Sequence, residues 1–435
     1  MTPTATRPRP QAGPGRLRPR ARFALAACAC AALVACGGGG SGTAGVGTGG
    51  TGSFAVGSIN GLGSIFVNGV RFDTANAQVS NPNAPAETSL QLGMTVEVRG
   101  DINPNTQRGT AATVVVASEL KGPIGAVNPT TNTLALFGRT VHVTPATIFV
   151  ATAGLAQLAV GNVVEVYGLP QPDGSLRATR IEFEAVDVGA FVAPYGSNER
   201  FHVEGLLTNL GGITPMRTFE VAGVRFSETS ATTVTGTLAN NTEVTVTFAP
   251  TAANPPFNAT SVRVESRAFA AGVGLAEIEG LVSGLETSTD GVRTFRLNGF
   301  PVRVNATGVI FEYDGPTQPN LVENVRVEVY GNIINGVLVA TKVEFEDEAN
   351  DLDAFEFAGV AVCPSSACVG TAGSFTLTLS GGRTVTIDYG VDTEFERPIT
   401  PASLHNLRVE VDAEVISLGA GSGERFFATW IGPAD

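Results

Sequence analysis

From Phe54 onward the chain is written in short phrases in which apolar and polar residues alternate at a period of two, each interrupted by Gly, Asn or Pro. That period puts successive side chains on opposite faces of an extended backbone, so each phrase predicts a half-buried strand bounded by turns. One phrase recurs as GMTVEVRG (Gly93–Gly100), GNVVEVYG (Gly161–Gly168), NTEVTVTF (Asn241–Phe248), ENVRVEVYG (Glu323–Gly331) and HNLRVEVD (His405–Asp412). A second precedes each of these: FVNGVRF, LFGRTVHV, FEVAGVRF, FRLNGFPVRV and LSGGRTVTI. A third follows, as in GSLRATRIEFE (Gly174–Glu184), ATSVRVES (Ala259–Ser266), NGVLVATKVEFE (Asn335–Glu346) and GERFFATWI (Gly423–Ile431). Three phrases in constant order, at a spacing of roughly 68 to 85 residues, define a tandem repeat of five units.

Within VEV the valines face one way and Glu97, Glu165, Glu328 or Glu410 the other. Asn68-Gly69, Asn298-Gly299 and Gly381-Gly382 predict tight primed turns, expected to join strands one and two of their units. Connectors such as SELKGPIGAVNP and GLAEIEGLVSG read as a short strand opening the next unit. Outside the leader no segment of 12 residues shows a helical stripe, and TAGLAQLAVGN (Thr152–Asn162) predicts one or two turns of helix at most. A unit of about 60 residues with five or six short strands has too little area for two packed sheets. Its strands therefore close most economically into a small barrel, which also removes exposed edges.

The phrases VEVYG and ATKVEFE resemble the bacterial family catalogued as domain of unknown function 5666, over roughly residues 54 to 435 and most strongly in units two and four. The resemblance implies an all-β chain of tandem small antiparallel barrels, similar to the oligonucleotide-binding fold, and supplies no catalytic residues. Unit three departs from the pattern, with VTVTF in place of VEVYG and no closing glycine. Unit five ends its phrase in VEVD and carries a cysteine insertion. The expected organisation is a signal peptide at 1–35, a tether at 36–53, and barrel units at 54–118, 119–190, 191–270, 271–350 and 351–435.

The leader carries six arginines by Arg22 and no acid, then the apolar run from Phe23 to Ala35, the order of a secretory signal. That run is shorter than the ~20 residues a spanning helix needs. It ends in Leu33-Val34-Ala35-Cys36-Gly37, which resembles the bacterial lipobox, and the resemblance implies cleavage before Cys36 and acylation of its thiol and amine. Gly37 rather than Asp after that cysteine implies export to the outer membrane. Acyl chains contribute ~0.8 kcal/mol per buried CH2, enough together to hold a folded body at a bilayer. The Gly/Ser stretch to Ser53 is a flexible tether of roughly 20 Å mean span.

Composition narrows the function. Glycine is abundant, 53 of 435 residues, as linker and turns require, and the whole chain carries a net charge of -13. Without the leader 21 basic side chains face 40 acidic ones, a charge of -19, which opposes nucleic-acid binding because that affinity rests on neutralising phosphates. No H-E-x-x-H, G-x-S-x-G, phosphate-cradling loop or dinucleotide fingerprint is present, so neither catalysis nor a cofactor is expected.

The outward glutamates are expected to form cross-strand pairs, Glu165 with Arg180 and Glu328 with Lys342, with Arg177 nearby. Cys363 and Cys368, in VCPSSACVG, are expected to form a structural disulfide in an oxidising compartment. His142, His202 and His405 are too dispersed to suggest zinc. Asp101, Asn103 and Asn105 echo a calcium loop, but Thr106 and Ala112 occupy the positions that need Gly and Glu, so the segment reads as an Asx-rich hairpin turn. The acidic run Glu344, Glu346, Asp347, Glu348, Asp351 and Asp353 reads as a solvated linker, and no metal is expected. Phe426, Phe427 and Trp430 read as core or cap of the last unit rather than a sugar platform.

The reading is an outer-membrane lipoprotein, joined to the bilayer through acylated Cys36, with a structural or binding role toward an envelope protein or polysaccharide. A set of polysaccharide-binding modules and an envelope hydrolase with a hidden carboxylate pair are the alternatives.

Overall fold

The computed structural model describes residues 52–434, apart from 86–87, 104–105, 107, 195–199, 251–254, 266–268, 270–272, 314–318, 346–354, 366 and 420–422. The leader, Cys36, the tether up to residue 51 and the acidic residues Glu346, Asp347, Glu348, Asp351 and Asp353 lie outside the described residues, whereas Gly52 and Ser53 of the expected tether belong to the first strand. Residues Gly50–Asp435 form one compact unit.

Barrel 1 shows the plan. Its first strand (Gly52–Leu62) pairs antiparallel with the second (Ile65–Val67) and the fourth (Thr95–Asn103). The second pairs with the third, which is broken into Val70–Asp73 and Gln78–Ser80. Both pieces of the third run parallel to the fifth (Arg108–Val116), and the fifth pairs antiparallel with the fourth to close the ring. The order 1-2-3-5-4-1, with one parallel contact, is the five-stranded Greek-key closure of oligonucleotide-binding-type barrels. The same pairings recur in barrel 2, barrel 3, barrel 4 and barrel 5. Units three and five thus keep the barrel despite their altered phrases.

The connectors turn out to be the long first strands, Leu120–Asn128 in barrel 2 and Val273–Leu281 in barrel 4. Asn68-Gly69 and Asn298-Gly299 consequently join strands two and three, not one and two, with positive φ at both residues. Phe137-Gly138 and Ala222-Gly223 do the same in barrels 2 and 3. Gly381-Gly382 differs, lying in a 3-10 turn at Ser380–Gly382. Among the described residues α-helix is confined to Val188–Val192, and the Thr152–Asn162 segment holds only the 3-10 turn Leu155–Gln157.

Two glycine columns explain how so short a sequence closes a ring. The glycine of the VEVYG phrase sits at a register shift against strand five, where a side chain would press on a backbone carbonyl. An ideal Cβ on Gly100, Gly168 or Gly331 would lie 2.0, 2.2 or 2.2 Å from the carbonyl oxygen of Thr110, Arg177 or Val339. Such a bulge bends the strand around the barrel. Barrels 3 and 5 place the shift before Phe248 and Ala413 instead, so the closing glycine eases the bend without being indispensable.

The second column is on strand one, where the turn residue between strands two and three folds back over a glycine. Asn68 covers Gly57 and donates from Nδ2 to the Val56 carbonyl at 2.9 Å, and Asn298 covers Gly280 and donates to the Glu279 carbonyl at 2.7 Å. In barrel 2 the plug is the Phe137 ring, whose Cζ would lie 2.1 Å from a Cβ on Gly122. Gly122→Ala is expected to cost about 1–3 kcal/mol through overpacking. Gly125→Ala, on the same strand, meets nothing nearer than the Ala135 carbonyl at 3.6 Å and serves as the control. Equal unfolding midpoints for the two variants would refute the plug.

The barrels are joined strand to strand. Gly52–Val56 of barrel 1 runs parallel to the first strand of barrel 4, and Phe54 is buried among barrel 4 residues, its ring 5.1 Å from Phe300. Farther along the same strand Gly61 and Leu62 pair parallel with Glu356 and Phe357 of barrel 5. Lys121 and Leu120 of barrel 2 pair antiparallel with His202 and Val203 of barrel 3. Barrel 2 reaches barrel 1 through Arg180, which donates to the Leu92 carbonyl at 2.9 Å and to Gln91 Oε1 at 2.7 Å. Barrel 1 therefore touches barrels 2, 4 and 5, and barrel 3 is held by barrel 2. Between strands one and two of barrel 5, Cys363 and Cys368 are joined by a disulfide and buried.

Candidate functional site

The alternation that builds each barrel also decides where its charges go. Strands one, four and five of a barrel carry polar side chains on their outer face, and the seams press these faces together. In barrel 2 Glu165 stands opposite Lys121 on strand one and opposite Glu182 on strand five. Its carboxylate accepts from Lys121 Nζ at 2.9 Å, and Lys121 also lies 3.4 Å from Glu184 and 5.5 Å from the Phe191 ring. Glu165 is fully buried. Burial pushes its carboxyl upward, but Lys121, His202 and Ser118 outweigh it and hold the group below the usual carboxylate range.

Barrel 3 supplies the other half of this seam. His202 Nε2 lies 3.0 Å from Ser118 Oγ, and Thr245 donates to Glu204 at 3.1 Å. Arg139 of barrel 2 donates to the Glu204 carbonyl at 2.9 Å. Burial drives the His202 imidazole down to about 4, against the pull of Glu165.

Barrel 4 repeats the pattern with different residues. Arg326 grips Glu279, with Nε at 2.7 Å, while Glu277 and Glu328 are both buried. Burial raises the Glu277 carboxyl above the usual carboxylate range, and Glu328 and Lys342 only partly oppose that shift. Lys342 binds Glu344 at 2.7 Å and Glu312 at 3.4 Å.

These contacts correct the expected pairs. Arg180 stands opposite Tyr167, not Glu165, and binds Glu182 as well as barrel 1. Lys342 stands opposite Tyr330 and reaches Glu328 only through space, its nearest carboxylates being on its own and the adjacent strand. The residues do share a face, but the phrases omit strand one, which brings Lys121 and Glu279 into direct opposition to Glu165 and Glu328.

Where strand one carries Val56 or Ala358 opposite the glutamate, no such partner is available. Glu410 of barrel 5 turns instead to barrel 1, accepting from Arg71 at 2.8 Å, with Arg108 at 3.6 Å from the same oxygen. These residues border a cleft of about 660 Å³ between the two barrels, lined by Arg71, Arg108, Arg408 and the hydroxyl residues Ser64, Thr74 and Ser380. Burial lowers the Arg71 guanidinium; Glu410 raises it, and Arg108 and Arg408 lower it further. Three guanidinium groups thus converge in a strongly acidic protein. Sequence reasoning missed this cleft because its lining residues are scattered over two units and none of them is a repeated glutamate.

The remaining candidates stay apart. His405 Nδ1 accepts from the Cys363 backbone N–H at 3.2 Å, far in sequence from His142 and His202. Asn103 ends strand four and Arg108 starts strand five, so the Asx-rich segment joins a hairpin. Phe426 is core, 4.6 Å from Phe357, while Phe427 and Trp430 are half-buried over Gly390 and Gly432. Among the described residues no three His, Cys, Asp or Glu side chains are placed to hold a metal ion.

No curated protein matches the chain. Among solved structures it is similar to one described as drosophila Unr CSD456, at 14% identity and a TM-score of 0.13, covering 53% of this chain and 96% of that one. A likeness of that degree carries no weight for fold or function. The family model described as domain of unknown function (DUF5666) matches residues 55–114, 121–182 and 279–344. Those segments are barrels 1, 2 and 4, and over them the chain belongs to the DUF5666 family in tandem copies.

Proposed function

We propose that this chain is an outer-membrane lipoprotein, anchored through acylated Cys36, whose barrels have a structural or binding role at the cell envelope and perform no catalysis. The observation that carries the reading is the use of its charges. Two of the repeated glutamates are held in ion pairs where barrels meet: Glu165 by Lys121, whose strand pairs with barrel 3, and Glu410 by Arg71 of barrel 1. A tethered body of this kind suits display or bracing in the envelope, and the cleft between barrels 1 and 5 offers a place to bind. Among the described residues that cleft's lining includes no aromatic side chain on which a sugar would stack, which weighs against the polysaccharide-module alternative. Glu277 and Glu328 are both buried rather than flanking an open groove, which weighs against the hydrolase alternative.

The anchor has a direct test. Cys36→Ala, expressed in a bacterium with a lipoprotein export pathway, should move from the membrane fraction to the soluble fraction. Retention of the variant in the membrane would sink the lipoprotein reading. For the binding role, the full chain should recover an envelope protein or polymer from envelope extracts, and recovery no greater than that of a control protein of equal charge would count against it.

A further inference from the structure

The cleft between barrels 1 and 5 is built in a way that salt-bridge formation alone does not require. Glu410 is matched by Arg71, which is almost buried, yet Arg108 and Arg408 are drawn to the same place. Arg408 is exposed on the cleft wall and forms no ion pair among the described residues. Asp73, the acid in the cleft lining, accepts from the Ala75 backbone N–H at 2.9 Å and so caps its own turn. The walls between the arginines are Ser64, Thr74 and Ser380, all hydroxyl donors, with Gly63 and Gly109 leaving the backbone uncovered. Gly63 has φ +117, and a Cβ there would lie 2.0 Å from the Ala358 carbonyl oxygen, so glycine is what lets barrel 5 approach to form the cleft.

We propose that this cleft binds a dianionic tetrahedral oxyanion of the phosphate class. Guanidinium groups offer paired N–H donors that match phosphate oxygens, and serine and threonine hydroxyls add further donors. The described lining holds no aromatic side chain to supply the stacking surface that bases or sugar rings would use, so recognition centres on the anionic group. Two guanidinium groups not buried under Glu410 supply the charge: Arg108, which is shared with it at 3.6 Å, and Arg408. The source is a free ion or a phosphorylated saccharide, which share this chemistry. The proposal deepens the binding role above and is independent of the anchor, since Cys36 fractionation is unaffected by its failure.

The test is titration of the full chain, in detergent, with inorganic phosphate and separately with a hexose monophosphate, followed by calorimetry and phosphorus NMR. Saturable binding is expected, weakened by added salt as screening requires. Arg408→Gln should lower affinity about tenfold, the scale of losing one charge-assisted hydrogen-bonded pair, without moving the unfolding midpoint. Arg408→Glu should abolish binding, and Arg408→Lys should restore part of it. Preference for the hexose monophosphate identifies the phosphorylated saccharide, and equal affinity identifies the ion. Absence of saturable binding of either compound, or binding unchanged in both Arg408→Gln and Arg408→Glu, would overturn the proposal.

Discussion

Replacing Lys121 with alanine is expected to destabilise the barrel 2 and barrel 3 pair by about 3–5 kcal/mol, because it strands the fully buried Glu165 carboxylate without its partner. The magnitude follows from the asymmetry of buried ion pairs. Their attraction roughly offsets the cost of dehydrating both charges, but one charge left alone keeps the whole cost. The double replacement Lys121→Met with Glu165→Leu should therefore be far milder than the single one, neutral or stabilising. Glu184, 3.4 Å from Lys121, is only partly buried and can turn to water. Tryptophan fluorescence is unsuited to the measurement, since Trp430, the single tryptophan, lies in barrel 5. Hydrogen exchange along Leu120–Asn128 reports the seam directly. A single variant no less protected there than the double variant would show that the ion pair does not hold the seam.

Acidification from pH 7 to pH 4 is expected to loosen the same seam through His202. Its imidazole is held at about 4 in the folded protein against an ordinary value of 6.5. The unfolded chain therefore binds more protons throughout that window, so stability rises with pH. The contribution is complete above about 6.5 and lost as pH falls through 4, and it amounts to about 3 kcal/mol. Glu165 acts in the same direction, its lowered carboxyl adding stability that disappears on further acidification. Lys121 and Arg263 oppose the imidazolium, and Glu165 favours it less than burial disfavours it. Glu277 in barrel 4 works in the reverse sense. Its raised carboxyl is stabilising at low pH, and that contribution is lost as pH rises through its folded value. Acid should thus reduce protection of Leu120–Asn128 more than that of Val273–Leu281. His202→Gln should flatten the pH response of the first segment. An imidazole titrating near its ordinary value by proton NMR would contradict this account.

Much of the architecture was legible before any coordinates. Period-two alternation in GNVVEVYG and its relatives identified strands, and their constant order identified five units. The closing glycine was visible as a repeated letter, and its reason, a bulge against a partner carbonyl, followed only from the pairing of strands four and five. The first strand was under-read. SELKGPIGAVNP contains Pro123 and two glycines, signals of a loop, yet it forms the strand to which both neighbouring strands and the adjoining barrel attach. Gly122 is there to admit the Phe137 ring, a contact between residues that local propensity does not register.

The chemistry divides along the same line. That a glutamate stands outside every VEV is a property of backbone geometry, because alternate side chains of a strand must face opposite ways. Which cation meets it depends on the adjacent strand and on the barrel packed beyond. Hence Glu165 takes Lys121, Glu328 faces Glu279 of strand one, and Glu410 crosses to Arg71 of another unit more than three hundred residues away. By itself the sequence determined an all-β tandem repeat, since alternation, turns and order are local and countable. Tertiary structure alone decided that barrel 1 would join barrels 4 and 5, and that three arginines would share a cleft. Both outcomes depend on which strand edges and charged faces meet in space, and no local pattern encodes those meetings.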